Sequence, residues 1–425
     1  MSAATARLSP VVSTVAERDS DRTASRRPAA THPAAAILAL SLGGFTIGTT
    51  EFMTMGVLPQ IADGVGVSVP TAGHVIAAYA VGVVVGVPLL AFFGAGLPRR
   101  AMLVGLMGGY AVFNLLSALA PTYEVLTVAR FLDGLPHGAY FGVASLVAAG
   151  LVAPELRGRA VAAVMLGLSV ANVVGVPAAT WMGQHLGWRS TYLAGAVLAA
   201  ITVLAILAVV PAMPGDPGNS GRREAREFFT SLQVWMALGA GAIGFGGLFA
   251  VYSYIAPTVT EVGGLPESVV PIFVLALGLG MVAGTWIAGE VVRASVTGTL
   301  IGGMVGLAAV LLAFFFLAPT GWGLLPAAFG TTATGSLVVI ALQLRLMDVA
   351  GGAVTLGAAM NHAALNTGNA LGAWAGGAVI AAGLGYRAPA LLGVGLSLAG
   401  VAIVVLAVLL QRREITASAE PATLS

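Results

Sequence analysis

From residue 34 onward the chain alternates between long apolar runs and short polar breaks. The runs are about 20 residues long, which is what a helix needs to cross the hydrocarbon core of a bilayer. Twelve spans are expected, at 34–56, 72–93, 101–120, 124–149, 160–182, 189–211, 230–256, 268–289, 296–318, 322–346, 353–382 and 388–410. Span eleven is long, Gly-rich and interrupted by Asn. The pattern predicts an all-α polytopic membrane protein.

Composition strengthens this reading. Of 425 residues, 58% are hydrophobic and only 8% are charged, too little charge to cover a soluble surface of this size. The 58 glycines suit helices packed closely in lipid. The chain has no cysteine, which excludes disulfides, thiol chemistry and Cys-ligated metal. Residues 1–33 are polar and rich in Ser, Thr, Ala and Arg, and read as a disordered cytoplasmic tail. A cleaved signal peptide is not expected, because the first apolar run starts late and ends in TTEFM rather than a small-residue cleavage site.

Charge changes the picture mainly through its placement. Every cation is Arg, and sixteen of the nineteen fall on one side of the span map. Arg189 and Arg387 face the other side, and Arg130 lies inside span four. The positive-inside rule then puts both termini in the cytoplasm, as an even span count also requires.

The longest internal break, PAMPGDPGNSGRREAREFF at 211–229, carries Pro, Gly and charge. It divides the chain into an N-terminal six-helix bundle at 34–211, a cytoplasmic linker at 212–229, a C-terminal six-helix bundle at 230–411 and a cytoplasmic tail at 412–425. The halves carry related segments. ANVVGVPAATWMGQHLGWRSTYLAG (171–195) aligns with GNALGAWAGGAVIAAGLGYRAPALLG (368–393). Asn172 then matches Asn369, Gly175 matches Gly372, and Gly187-Trp188-Arg189 matches Gly385-Tyr386-Arg387 after a one-residue slip. Parallel repeats of this kind predict a substrate path between two bundles near the membrane midplane.

The candidate chemistry begins with GTTEFMTMGVLPQIA, where Glu51 is the one charge of an otherwise apolar span. A charge at this depth costs at least ~2.5 kcal/mol on insertion scales, so it needs a partner or a water-filled cavity. Glu51 and Arg130 fall at similar depth if span one runs outward and span four inward. Arg130, Asp133 and His137 are spaced i, i+3, i+7 and share one helix face. A protonation switch at Glu51 is the functional reading. A static Glu51–Arg130 or Asp133–Arg130 pair that fixes packing is the alternative. His137 fits a proton relay or a satisfied hydrogen-bonding histidine equally. His362, Asn366 and Asn369 lie at i, i+4, i+7 and form a candidate cavity face, while Asn361 sits off it. Their amides suit a neutral polar substrate, or glue helices together. Asn172, Tyr79, Tyr140, Tyr252 and Tyr254 are candidate path-lining residues, with packing or interface anchoring as the alternative for each tyrosine.

No G-x-x-x-x-G-K-[ST] motif supports ATP drive, and no H-E-x-x-H or Cys/His cluster supports a metal site. GAWAGGAVIAAG lies in an apolar span, where close helix packing explains it better than dinucleotide binding. No cofactor, metal or nucleic acid is expected.

From about Ala34 to Gln411 the chain resembles the major facilitator superfamily in its drug:proton antiporter-1 branch. It is most similar to arabinose-efflux-permease-like and chloramphenicol-efflux-like members. The stretches that carry this are GTTEFMTMGVLPQIA, AYAVGVVVGVPLL, ARFLDGLPHGAYFG, ANVVGVPAATWMGQHLGWRSTY and NTGNALGAWAGGAVIAAGLGY. The resemblance implies twelve helices in two six-helix bundles. It gives Glu51 the proton or cationic-substrate role and makes Arg130 the span-four motif arginine. It makes Gly175 and Pro177 the bend of the antiporter motif. The loop after span two keeps Gly94, Arg99 and Arg100 of the family's gating motif, but GAGLPRRAML lacks its Asp. Asp133 stands where many relatives are uncharged.

The expected function is a proton-coupled antiporter that exports a small amphipathic or drug-like molecule by alternating access. The protein is expected to be no enzyme, monomeric and in the plasma (inner) membrane, with lipid, protons and one small molecule as partners. The alternatives are a sugar or metabolite exporter, an uncoupled facilitator of the same fold, and a non-transporting membrane sensor.

Overall fold

The computed structural model describes residues 32–94, 97–214, 228–351 and 353–419. All regular structure among them is helical. Most of the expected linker and both chain ends lie outside the described residues.

The first half contains α1 (Pro33–Gly56), α2 (His74–Gly94), α3 (Arg99–Leu119) and α4 (Tyr123–Gly150). α5 runs Arg157–Val170, passes through a π turn at Ala171–Gly175 and resumes as Val176–Leu186; α6 is Trp188–Val209. In the second half, α7 is Leu232–Gly244 continued by Gly246–Tyr252. There follow α8 (Val270–Val291), α9 (Val296–Leu317), α10 (Leu324–Val349), α11 (Val354–Val379) and α12 (Ala388–Ala419). These limits track the expected spans within a few residues. At the end of the chain, helix continues to Ala419, into the stretch expected to be a tail.

Local chemistry sets the ends. Pro33 opens α1 at a position where its missing N–H costs nothing. Thr122 caps α4 by accepting from the Val125 amide at 3.5 Å. The π turn of α5 ends two residues before Pro177. A proline in a helix removes one amide and crowds the carbonyl four residues back, and the widened turn absorbs both effects. Nine stretches are long and apolar enough to cross a membrane, among the described residues. One of them, Val296–Val349, contains both α9 and α10. They are separated by a turn at Ala318–Gly323 in which Gly321 has φ 66°. α4 and α11, which carry the candidate polar residues, are not among the nine. Many large apolar side chains remain outward-facing, Trp286 at 74% exposure among them, as a lipid-facing surface requires.

The related segments of the two halves share a detail that the alignment alone does not contain. Gly187 (φ 84°) and Gly385 (φ 75°) both turn the chain in the left-handed region that favours glycine. Arg189 then lies over the Trp188 ring and donates to the Ala120 carbonyl at the end of α3 (2.9 Å). Arg387 lies over Phe315 and donates to the Phe315 carbonyl near the end of α9 (3.0 Å). Each arginine satisfies an orphan helix-end carbonyl, in equivalent positions of the two halves.

α2 packs along α4, α8 along α10, and α2 also along α11, so the halves meet closely. Arg345 of α10 donates to Gln233 in the first turn of α7 (3.1 Å) and to Gln411 of α12 (2.7 Å). The largest apolar cluster fills the second half and reaches Phe52, Met55 and Ile76 of the first. A second cluster, around Leu40, Val83, Tyr140 and Val147, stays within the first half.

Candidate functional site

The polar centre of the molecule is built on α4. Pro136 interrupts the amide ladder there, between Asp133 and His137. Arg130, Asp133 and His137 are buried on one face, as their spacing predicted. The Arg130 guanidinium is ion-paired with the Asp133 carboxylate one turn away. It also sits 4.2 Å from the Tyr79 ring centre and 5.3 Å from that of Tyr192, and reaches the Thr50 carbonyl at 3.4 Å. Two aromatic faces and a carboxylate thus replace the water a buried cation would lose. Asn114 of α3 donates to the second Asp133 oxygen at 2.7 Å.

Glu51 is also buried, at 6% exposure. Among the described residues no ion pair joins it to Arg130. Its carboxylate approaches His137 Nδ1 at 3.9 Å, a contact that becomes an ion pair only when the imidazole is protonated. Of the two static pairs weighed from sequence, the geometry contains the Asp133–Arg130 pair and leaves Glu51 apart from it.

A chain of hydroxyls connects these groups. Thr50 of α1 contacts the Tyr110 hydroxyl of α3. Tyr110 contacts the Tyr79 hydroxyl of α2 at 3.1 Å, and Tyr79 contacts His137 Nδ1 at 2.9 Å. Tyr79 and His137 are among the residues that stand out in the sequence, whereas Thr50, Tyr110, Asn114 and Tyr192 emerge from the fold. A signal existed for two of them: Tyr110 and Asn114 are polar residues at i, i+4 in an apolar span, hence on one face.

The candidates of the second half reach this centre through α11. The His362 ring stacks on Phe141 at 5.8 Å and faces His137 at 6.4 Å between ring centres. Asn366 donates to the His362 carbonyl at 3.0 Å. The Asn366 and Asn361 oxygens and both Asn369 amide atoms are buried with no hydrogen-bond partner among the described residues. The Asn172 oxygen and the Tyr252 hydroxyl are unpartnered in the same way. Tyr252 stacks on Phe52 of α1 at 5.5 Å. Buried polar atoms without partners are rare and are expected where a ligand or water arrives.

Other candidates lie elsewhere. Tyr140 donates to the Leu40 carbonyl at 2.8 Å and packs on Gly43, joining α4 to α1. Tyr254 donates to the Ala373 carbonyl at 2.7 Å, beside Gly73 and Gly377. Both have the packing geometry that was the alternative for each tyrosine. Gly175 lies against Thr49 within the π turn, and Pro177 follows it. Gly94 ends α2, and the two residues after it are outside the described set. The Arg99 amide donates to the Met213 carbonyl at 3.0 Å, and the Arg100 guanidinium to the Leu207 carbonyl of α6.

Comparison with known proteins gives a consistent result. The family model described as Major Facilitator Superfamily matches residues 40–358. The inner membrane transport protein YdhP of Escherichia coli strain K12 is 41% identical over 350 residues, covering 82% of this chain and 90% of that protein. AraJ of the same strain is 34% identical, covering 84% and 90%. A chloramphenicol resistance protein of Streptomyces lividans is 32% identical, covering 78% and 86%. Among solved structures, the nucleoside transporter NupG superposes with a TM-score of 0.69 at 13% identity, covering 88% of this chain and 99% of that one. A D-xylose-proton symporter gives 0.66 at 16% identity, covering 86% and 96%. At such identities the likeness concerns the fold alone.

Proposed function

As the chain belongs to the Major Facilitator Superfamily, we propose that it is an inner-membrane exporter driven by proton antiport, moving a small amphipathic molecule by alternating access. Twelve spans in two six-helix bundles, with both termini cytoplasmic, complete this reading. The sixteen-to-two Arg split and the matched Gly187 and Gly385 turns support it. Export is favoured by the relative that confers chloramphenicol resistance. An amphipathic cargo fits the mixture of orphaned amides on α11 with the Phe52, Tyr252 and Phe141 rings.

The observation that carries proton coupling is that buried Glu51 lies outside the Arg130–Asp133 ion pair, sensing the Arg130 charge without pairing with it. Exchanging its neighbours for water or a proton acceptor changes the proton affinity of such a carboxyl, which couples proton movement to a change of surroundings.

Glu51→Gln tests it, because the amide keeps size and hydrogen bonding but cannot titrate. Purified protein in liposomes is first screened with phenicols, sugars and lipophilic cations, with and without an imposed pH gradient. Glu51→Gln is expected to insert and to bind a neutral cargo. It is expected to lose uphill transport by at least tenfold, and substrate-evoked proton release with it. Wild-type accumulation by Glu51→Gln overturns the assignment. Release that survives Glu51→Gln but is lost in Asp133→Asn moves the coupling site to Asp133.

A further inference from the structure

We infer that His137 is held with its proton on Nδ1, and that its bare Nε2 accepts a hydrogen bond from a hydroxyl or N–H of the cargo; Tyr79 and Tyr110 are the positioning residues. The cargo half rests on the transporter reading above, whereas the tautomer half stands on geometry alone.

Thr50 sets the direction of the hydroxyl chain. Its single hydroxyl proton is directed at backbone carbonyls of its own helix, Thr46 at 3.0 Å and Ile47 at 3.1 Å. With that proton committed, the Thr50 oxygen can only accept from the Tyr110 hydroxyl. Tyr110 then has no proton left for Tyr79, so Tyr79 donates to Tyr110 across 3.1 Å. Tyr79 in turn has no proton for His137, so the 2.9 Å contact runs from the imidazole Nδ1–H to the Tyr79 oxygen. Each step follows from one hydroxyl carrying one proton.

A phenol is a better donor than an aliphatic hydroxyl, so Tyr110 to Thr50 is also the stronger sense of that bond. The partner of one imidazole nitrogen fixes the state of the other, so neutral His137 presents Nε2 as an acceptor.

The surroundings indicate what Nε2 receives. The facing groups are Tyr79, Phe141 and, from α11, His362. The 6.4 Å between the His137 and His362 ring centres exceeds the roughly 5 Å of directly bonded imidazoles. His362 is therefore not itself the hydrogen-bond partner of Nε2. The flat stack of His362 on Phe141, with 1° between planes, provides an aromatic wall beside that position. A neutral aromatic molecule that carries a hydroxyl or N–H matches both features.

The test uses the full chain labelled with 15N-histidine in detergent micelles. The chain has five histidines, and the signals missing in His137→Gln identify His137. The neutral ring is expected to show a protonated Nδ1 and an unprotonated Nε2. Tyr110→Phe and Tyr79→Phe are each expected to move the ring towards the Nε2–H tautomer, which a purely structural role for either tyrosine would not do. Phenol is the probe for donor recognition, with anisole as the same ring lacking O–H. Phenol is expected to shift the Nε2 resonance, and anisole to leave it in place. A wild-type Nε2–H tautomer overturns the chain. A tautomer unmoved by both Tyr→Phe variants overturns the positioning roles, and an equal or absent response to phenol and anisole overturns the acceptor role. Failure of the transport screen would sink the proposed function yet leave the tautomer result standing, so the two failures are separable.

Discussion

Arg130 shows at the scale of one residue how a membrane interior holds a full charge. Its guanidinium has a carboxylate, two aromatic faces and a backbone carbonyl, and is fully buried. Breaking a buried pair from one side leaves the other charge uncompensated, at about 3–5 kcal/mol. Arg130→Ala and Asp133→Asn are each expected to lower the thermal midpoint in detergent strongly. The double variant is expected to lose less than the sum of the two, because neither charge is then stranded. Additive losses would mean that the pair is not a unit. Arg130→Lys is expected to recover little, since an ammonium cannot present a planar face to Tyr79 while pairing with Asp133.

At the scale of an element, α5 is where sequence and packing meet most tightly. Its π turn brings Gly175 against Thr49 and the Phe45 ring of α1, and a Cβ at Gly175 would overlap the Thr49 hydroxyl. Gly175→Ala is expected to cost roughly 1–3 kcal/mol of stability by overpacking. Adding Thr49→Ala is expected to return part of that, because the obstacle is a side chain. Gly278 of α8 offers the contrast: a Cβ there would meet the Asn172 backbone carbonyl of the same π turn. Gly278→Ala is expected to lose at least as much, with no rescue from trimming Asn172 to Ala. Thermal unfolding of the four variants checks the pattern, and rescue of Gly278→Ala would show that α8 and α5 can simply separate.

Across the whole molecule, the halves join at one end through Gln184, which donates to the Glu267 carbonyl at 2.9 Å, and through Tyr254 between Gly73 and Gly377. The alternating access proposed above requires this end to open. The chain has no cysteine, so Gln184→Cys with Glu267→Cys introduces a lone pair of thiols. A short thiol-reactive crosslinker is expected to stop transport of the compound found in the screen, and reduction of a cleavable version to restore it. Full transport by the crosslinked protein would exclude opening at this end. Reporter fusions give the orientation: those after Arg226 and Arg412 are expected to report cytoplasm, and one near Asp63 the outside. A cytoplasmic signal at Asp63 would invert the span map.

Much of this was legible in the sequence because lipid makes a span a local property. A bilayer cannot satisfy open backbone groups, so an apolar run of sufficient length is a helix whatever lies beside it. The helix limits, the membrane class and the Arg asymmetry follow from residues read one run at a time. The shared face of Arg130, Asp133 and His137 does too, because it needs only the helical repeat. Tertiary structure decided what the repeat cannot contain, which is how each helix is rotated towards its neighbours. Only that rotation brings Thr50, Tyr110 and Tyr79 from three helices into one line to His137. It also puts Glu51 near an imidazole and outside the Arg130–Asp133 ion pair. Spacing along one helix fixes angles about its own axis, and contacts between helices depend on packing summed over the whole interface.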